Sequence, residues 1–221
     1  MIAVIVPIYN TEKYLRETID SVICQTLSFA EHIRLILLDD ASTDGSFAIC
    51  EQYQKQYPKQ ILVKHYDTNQ GVSALRNEGV RIAGEMGDEL ITFLDSDDKL
   101  ADDAMEKAKM YFESHEDVSV AAIAVKYFGT RDGEQRLNWR FQEMDVVDIK
   151  KQYTFPHYYV GGVFLRKRVL NELHFDETMN FWEDALAINQ VIVSEGKYGL
   201  IQDTFYFYRK REDEYDRADE Q

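Results

Sequence analysis

Four short apolar runs, each followed by a helix-forming stretch, constrain this chain more than any other feature. Ile2 to Ile8, Ile33 to Leu38, Ile61 to Tyr66 and Leu90 to Leu94 are of strand length, and continuous apolarity such as that of Ile2 to Ile8 marks a strand buried on both faces. Between them, Thr11 to Leu27 carries Tyr14, Leu15, Ile19, Val22 and Ile23 at the spacing of one helical face, with Asn10 or Thr11 available as its cap. Helices are expected again from Phe47 to Tyr57, stopped by Pro58, from Gly71 to Met86 and from Asp102 to Ser114. Strand and helix alternating in this way predict an α/β chain with a mostly parallel, Rossmann-like central sheet and helices on both faces.

Open sheets of this kind bind ligands at the carboxyl ends of their strands. Here the strand ends carry Pro7-Ile8-Tyr9-Asn10, Asp39-Asp40-Ala41-Ser42 and Asp95-Ser96-Asp97-Asp98, with Asp67 to Gly71 nearby on the same rim. Asp, Ser and Lys after a strand are also ordinary turn residues. Asp95, Asp97 and Asp98 together nevertheless need a counter-charge, because like charges about 4 Å apart repel by roughly 4 kcal/mol in a partly screened cleft. Lys99 supplies one candidate; a divalent cation, Mn²⁺ or Mg²⁺, is the other, and such an ion suits a diphosphate.

At 221 residues the chain is long enough for one sizeable core or for a nucleotide-binding half with a smaller lobe. Its formal charge of −15, with no basic stripe, argues against a nucleic-acid partner and against direct adhesion to anionic lipid. Cys24 and Cys50 lack any metal-ligand spacing and read as buried, reduced thiols. The start of the chain has no basic n-region, and no run is long enough to span a bilayer, so the expectation is a cytoplasmic protein. Peripheral association with the inner membrane face would come through an acceptor or a further domain.

After a long apolar strand, Val118 to Phe128, the pattern changes. Residues 129–151 are polar, with Gly133 in a hairpin turn; then come an aromatic stretch from Tyr153 to Phe164, a helix around Asp184 to Glu195 and a short strand from Thr204 to Tyr208. The expected division is therefore 1–128 for nucleotide binding, 129–208 for the acceptor side and catalysis, and 209–221 as a charged tail.

Five pieces of the chain, taken in order, resemble the family-two glycosyltransferases of the GT-A fold. They are Val4 to Asn10, Leu38 to Ser46, Asn69 to Asn77, Phe93 to Asp98, and Trp182-Glu183-Asp184. The resemblance implies an inverting, metal-dependent transferase of the bacterial surface-polysaccharide or teichoic-acid type, with a UDP-sugar the expected donor and a glycan or polymer hydroxyl the acceptor. It implies that Pro7 and Tyr9 border the base and that Asp40 accepts the base's ring N–H; Asp39 is divided between this role and turn formation or helix capping. Asn69 and Gly71 open a helix whose first N–H groups face the sugar diphosphate. Arg76 either offsets phosphate charge, holds a metal-motif carboxylate, or makes a surface salt bridge on an exposed helix face. Asp97 coordinates the metal directly. Asp95 shares the metal or contacts the ribose, with Ser96 between the two. Asp98 caps the following helix. Asp184 is the catalytic base, with Trp182 and Glu183 beside it at the substrate, and Glu183 reads equally as a first-turn acid favoured by a helix N-terminus.

Two departures from the family pattern stand out. No histidine follows His174 to complete a metal shell, and Tyr206-Phe207-Tyr208-Arg209 runs on into acidic sequence, leaving Arg209 or Arg211 to close over the diphosphate. Tyr153, Phe155, His157, Tyr158, Tyr159, Phe181 and Trp182 offer either a stacking platform for a sugar or ordinary core packing, and Gly161-Gly162 suits a tight backbone approach. Two other functions compete: a sugar nucleotidyltransferase, disfavoured because Pro7 to Thr11 lacks a basic, glycine-rich phosphate loop, and a sugar-nucleotide-binding module without turnover.

Overall fold

The computed structural model describes residues 1–129, 135–136, 145–149, 160–179 and 181–211. Strands β1 (Ile2–Ile8), β2 (Ile33–Asp39), β3 (Ile61–His65) and β4 (Leu90–Phe93) lie side by side in the order β3-β2-β1-β4, all parallel. The helices that connect and cover them are α1 (Leu15–Ile23), α2 (Phe29–His32), α3 (Ser46–Gln56), α4 (Val72–Met86) and α5 (Ala104–Ser114), with α6 (Glu183–Glu195) later in the chain.

Side chains alternate across a strand, so a strand covered on both sides must be apolar at every position. In β1, Ile2, Val4, Val6 and Ile8 join the layer that holds Leu15, Ile19 and Val22 of α1 and Ala108 and Phe112 of α5. Ala3 and Ile5 face the opposite layer, with Leu75, Val80 and Ala83 of α4 and Ile188 and Val191 of α6. Helices thus cover both faces, as the alternation predicts.

The remaining strands are β5 (Lys99–Leu100), β6 (Val120–Gly129), β7 (Gln135–Arg136), β8 (Val146–Asp148), β9 (Val163–Arg166) and β10 (Lys197–Lys210). They extend the same sheet to the order β3-β2-β1-β4-β9-β6-β10-β5, with β7 paired to β6 and β8 to β10. The sequence gives no warning of β9, a short apolar run that reads equally as core packing, yet it inserts antiparallel between β4 and β6. β10 is far longer than the expected Thr204 to Tyr208. It runs parallel to β6 through a register shift between Ile201 and Phe205, where Asp203 adopts φ 59°. The polar Gln202-Asp203 pair at this irregularity hides the strand from its hydrophobic pattern.

Further differences are local. α1 begins at Leu15 rather than Thr11: Asn10 turns at φ 53°, and the Thr11 carbonyl accepts from the N–H groups of Tyr14 and Leu15, so neither residue caps the helix. Cys50 is buried, its thiol pushed up to about 12 by burial, but Cys24 is exposed, contrary to expectation; both are free thiols. Gly133, Tyr153, Phe155, His157, Tyr158 and Tyr159 lie outside the described residues, as does 212–221. Among the described residues no helix is long and apolar enough to cross a membrane.

Candidate active site

The carboxyl ends of β1, β2 and β3 form one laced rim. Asn10 Oδ1 accepts from the Thr43 N–H (2.8 Å), Ser42 Oγ from the Asn10 N–H (3.0 Å) and Ser46 Oγ from the Thr11 N–H (2.9 Å). Pro7 is buried within β1, and Tyr9, half exposed, stands at the lip. Asp40 is buried, and both its oxygens are engaged: Oδ1 accepts from the Gln70 N–H (2.7 Å) and Oδ2 from the Gly71 N–H (2.9 Å), while Asn69 Nδ2 donates to the Asp40 carbonyl (3.4 Å). Asp40 therefore fixes the loop that enters α4. Gly71, at φ 88° and ψ 154°, occupies a region closed to other residues, which lets that loop turn into the helix.

Asp39 is fully buried. Its Oδ2 accepts from the Ser42 N–H (3.2 Å) and pairs with His65 Nδ1 (2.7 Å), whereas Oδ1 is buried without a partner. The turn-forming reading of Asp39 is seen directly, and an acceptor oxygen is left over. A buried acceptor without a donor carries a cost, so such an atom marks a place for a ligand N–H.

The turn after β4 is the centre of a second, acidic cluster. Asp98 does not cap α5: its Oδ2 accepts from the Tyr206 hydroxyl (2.7 Å) and its Oδ1 from the Arg209 N–H (2.7 Å), both on β10. Tyr206 also accepts from the Asp95 N–H (3.2 Å). Burial, followed by the charges of Asp95 and Asp97, pushes the Asp98 carboxyl well above the usual range. Asp97 is also raised, first by burial and then by Asp95, against the lowering effect of Arg211. Arg211 Nε donates to Asp97 Oδ2 (2.8 Å), and its Nη2 donates to the same oxygen. Arg209 Nε donates to the Asp97 carbonyl (2.6 Å), and Nη2 to Glu17. Ser96 is buried, its carbonyl accepting from the Thr18 hydroxyl. No sequence signal marks Tyr206 as a member of this cluster, since an aromatic in an aromatic strand reads as core.

Arg76 connects this cluster to the far side of the site. Its side chain is buried rather than on an exposed helix face, so the surface-salt-bridge reading is set aside. Nη2 donates to Asp95 Oδ1 (3.2 Å), Nη1 donates to Glu183 Oε1 (3.0 Å), and Nε is buried without a partner. Glu183 and Asp184 are the first residues of α6, and Trp182 before them sits at φ 67° with its side chain largely exposed, as is that of Phe181. Asp184 Oδ2 accepts from the Val160 N–H (3.2 Å). Burial raises the Asp184 carboxyl above its ordinary value, with Arg76 opposing. Gly161 and Gly162 make the tight approach expected of them: Gly161 bridges Phe93 at the end of β4, and a Cβ there would lie 2.5 Å from the Tyr206 ring. Asn77, on α4, pins residues 175–177 through the Phe175 backbone and Glu177.

Among the described residues no three His, Cys, Asp or Glu side chains converge as a metal cage. Asp95 and Asp97 provide a two-carboxylate site, which fits Mg²⁺ or Mn²⁺: such ions take one or two carboxylates and complete their shell with water and substrate phosphate. The positive Arg211 guanidinium on Asp97 fits the same reading, since this position already attracts a cation.

Comparison with known proteins agrees with this geometry. The profile of Glycosyl transferase family 2 matches residues 3–174. The chain is 41% identical over 216 residues to the minor teichoic acid biosynthesis protein GgaA of Bacillus subtilis, covering 97% of this chain and 48% of that protein. It is 38% identical over 215 residues to GgaB of the same organism, covering 96% of this chain and 23% of the relative. The chain thus spans about half or less of these curated relatives. Among solved structures, S. aureus TarS 1-349 in complex with UDP-GlcNAc superposes with a TM-score of 0.80 at 25% identity, over 96% of this chain and 59% of that one. The mannosyltransferase PcManGT from Pyrobaculum calidifontis, in complex with GDP-Man and Mn²⁺, shares the fold at a TM-score of 0.74 and 18% identity, over 98% of this chain and 59% of that one. With its α/β sheet, laced rim and acidic turn, this chain belongs to glycosyl transferase family 2 and has the GT-A fold.

Proposed function

We propose that the chain is the catalytic unit of an inverting glycosyltransferase that moves a sugar from a UDP-linked donor to a hydroxyl of a teichoic-acid-like polymer. The observation that carries this reading is Arg76, which ties Asp95 of the metal motif to Glu183, the residue next to the proposed base Asp184. Donor site and base therefore share one rigid connection, as a single displacement requires. The donor class is supported by the UDP-GlcNAc bound to TarS, the acceptor class by the teichoic-acid roles in the names of GgaA and GgaB.

The base pocket lies on the rim beside Pro7 and Tyr9. The unpartnered Oδ1 of Asp39 is the better acceptor for a ring N–H, because both oxygens of Asp40 already hold the α4 loop. Asn69 and Gly71, whose donors are taken by Asp40, shape the loop so that the first turn of α4 faces the sugar diphosphate. When bound at Asp95 and Asp97, a divalent cation neutralises charge on the departing diphosphate. Asp184 accepts the proton of the acceptor hydroxyl as that oxygen bonds to the anomeric carbon; the bond from that carbon to the diphosphate oxygen breaks, and the nucleoside diphosphate leaves with the electron pair. Trp182, with Phe181, offers an aromatic face to the sugar rings. In this scheme residues 1–128 hold the donor and 129–208 the acceptor, and the enzyme works on the cytoplasmic side, at the inner face of the membrane.

Asp184→Asn tests the reading. Transfer should fall by about 10² to 10⁴-fold, the usual contribution of general base catalysis, while UDP binding by calorimetry stays within about twofold. In the wild type, the acid limb of the transfer profile should lie above the ordinary carboxylate value of 3.8, since the active form is deprotonated and its pKa is raised. Full transfer by the variant would remove Asp184 as the base; UDP binding without transfer or donor hydrolysis in the wild type would favour a binding module.

A further inference from the structure

Two arginines from the end of β10 reach the metal-motif turn, and they are held differently. Arg209 is built in: it contacts the Asp97 carbonyl and Glu17, its N–H is taken by Asp98, and its guanidinium lies 4.7 Å from the Tyr14 ring centre and 4.3 Å from that of Phe128. Arg211 also lies over the Tyr14 ring, at 5.0 Å, but it directs Nε and Nη2 to the single oxygen Oδ2 of Asp97, and its side chain keeps 30% of its exposure, against 13% for Arg209. The oxygen it covers is one that the donor-site reading assigns to the metal.

We propose that Arg211 is a resident counter-ion that exchanges with the divalent cation on Asp97 and passes to the diphosphate of the incoming donor; this rests on the donor-site reading above. Asp95 and Asp97 stand two positions apart on one turn, each held by a guanidinium, Asp95 by Arg76 and Asp97 by Arg211, so Arg211 supplies the positive charge that Asp97 needs in the nucleotide-free site. A cation arriving alone must strip a guanidinium from its carboxylate and finds, among the described residues, the two carboxylates of Asp95 and Asp97 to bind. Arriving with a diphosphate it gains phosphate oxygens, and the displaced guanidinium gains an acceptor whose geometry matches its planar fork. Metal and nucleotide should therefore bind with strong positive coupling, equal in either order.

The test is Mn²⁺ binding, followed by the electron paramagnetic resonance of free Mn²⁺, with and without UDP, in the wild type, Arg211→Gln and Arg211→Lys. In the wild type UDP should tighten Mn²⁺ by tens of fold. Arg211→Gln should raise nucleotide-free Mn²⁺ affinity by on the order of tenfold and weaken UDP binding, shrinking the coupling, while Arg211→Lys should retain most of it. Unchanged or weaker nucleotide-free Mn²⁺ binding in Arg211→Gln, or coupling equal to that of the wild type, overturns the exchange and leaves the donor site standing. Failure of the wild type to bind Mn²⁺ even with UDP overturns the donor-site reading and the exchange together.

Discussion

Along the rim of strand ends, side chains satisfy backbone groups 30 to 35 positions away: Asn10 reaches Thr43, Ser46 reaches Thr11, and Asp40 reaches Gln70 and Gly71. In the acidic cluster the separations exceed 100: Asp98 to Tyr206 and Arg209, Asp97 to Arg211, Arg76 to Glu183. The rim is a product of neighbouring βα units, and its bonds form once β1, β2 and β3 pair. The acidic cluster exists only after β9 and β10 have closed the other half of the sheet. Perturbing the rim should therefore act on loop shape and donor affinity, whereas perturbing the cluster should act on the stability of the whole fold.

Tyr206→Phe is the strongest probe of this difference. It keeps the ring against Gly161 and Gly162 but removes the hydroxyl that donates to Asp98 and accepts from the Asp95 N–H. Leaving a buried carboxylate short of a donor should lower unfolding free energy in urea by about 2 to 3 kcal/mol, the upper part of the range for such losses. A loss below about 0.5 kcal/mol would mean that the cluster does not bind the two halves of the sheet together.

Gly71→Ala probes the rim. Nothing lies within 4 Å of the added methyl, so its cost is conformational: about 1 to 2 kcal/mol for an alanine forced to φ 88°, accompanied by weaker UDP binding. Gly84→Ala, inside the same helix and also without close neighbours, should instead stabilise by about 0.5 to 1 kcal/mol. Equal effects at the two glycines would show that the loop relaxes freely and that its shape is not set by the bonds to Asp40.

The smallest effect is expected at Glu78 on α4, which takes no part in the hydrogen bonds of either region. Arg81 and Lys64 hold Glu78 down at about 2, against an ordinary 4.5. A depressed value in the fold means stabilisation that is present above about pH 4.5 and lost as the pH falls toward 2. Glu78→Gln should cost less than about 1 kcal/mol at neutral pH, because solvent screens the pair, and the difference from wild type should vanish at low pH. A larger loss would give this surface network the weight assigned here to the buried cluster.

The legible parts of the sequence are those whose signals are periodic or contiguous. The first four strands and their helices follow from runs of residues whose alternation or 3.6-residue spacing records which face is covered. The rim residues were legible for the same reason, each sitting where an apolar run ends. Misreadings came where neighbours in space are remote in sequence. Asp98 has the composition of a helix cap, and only the arrival of β10 makes it the acceptor for Tyr206. Arg76 looks like a surface cation until α6 is packed over it. Asp40 and Asp39 are adjacent in sequence, and it takes the position of the α4 loop to tell which oxygen is left over.

By itself, the sequence determined the parallel half of the sheet, the two-faced helical cover, the rim of strand ends and the family, because burial on both faces writes itself into every position of a strand. Tertiary structure alone decided the antiparallel insertion of β9, the reach of β10 and the partners of each carboxylate in the acidic turn. A charged side chain's role depends on which opposite charge or donor arrives within about 3 Å, and that distance is set by chain closure over a hundred residues, not by local pattern.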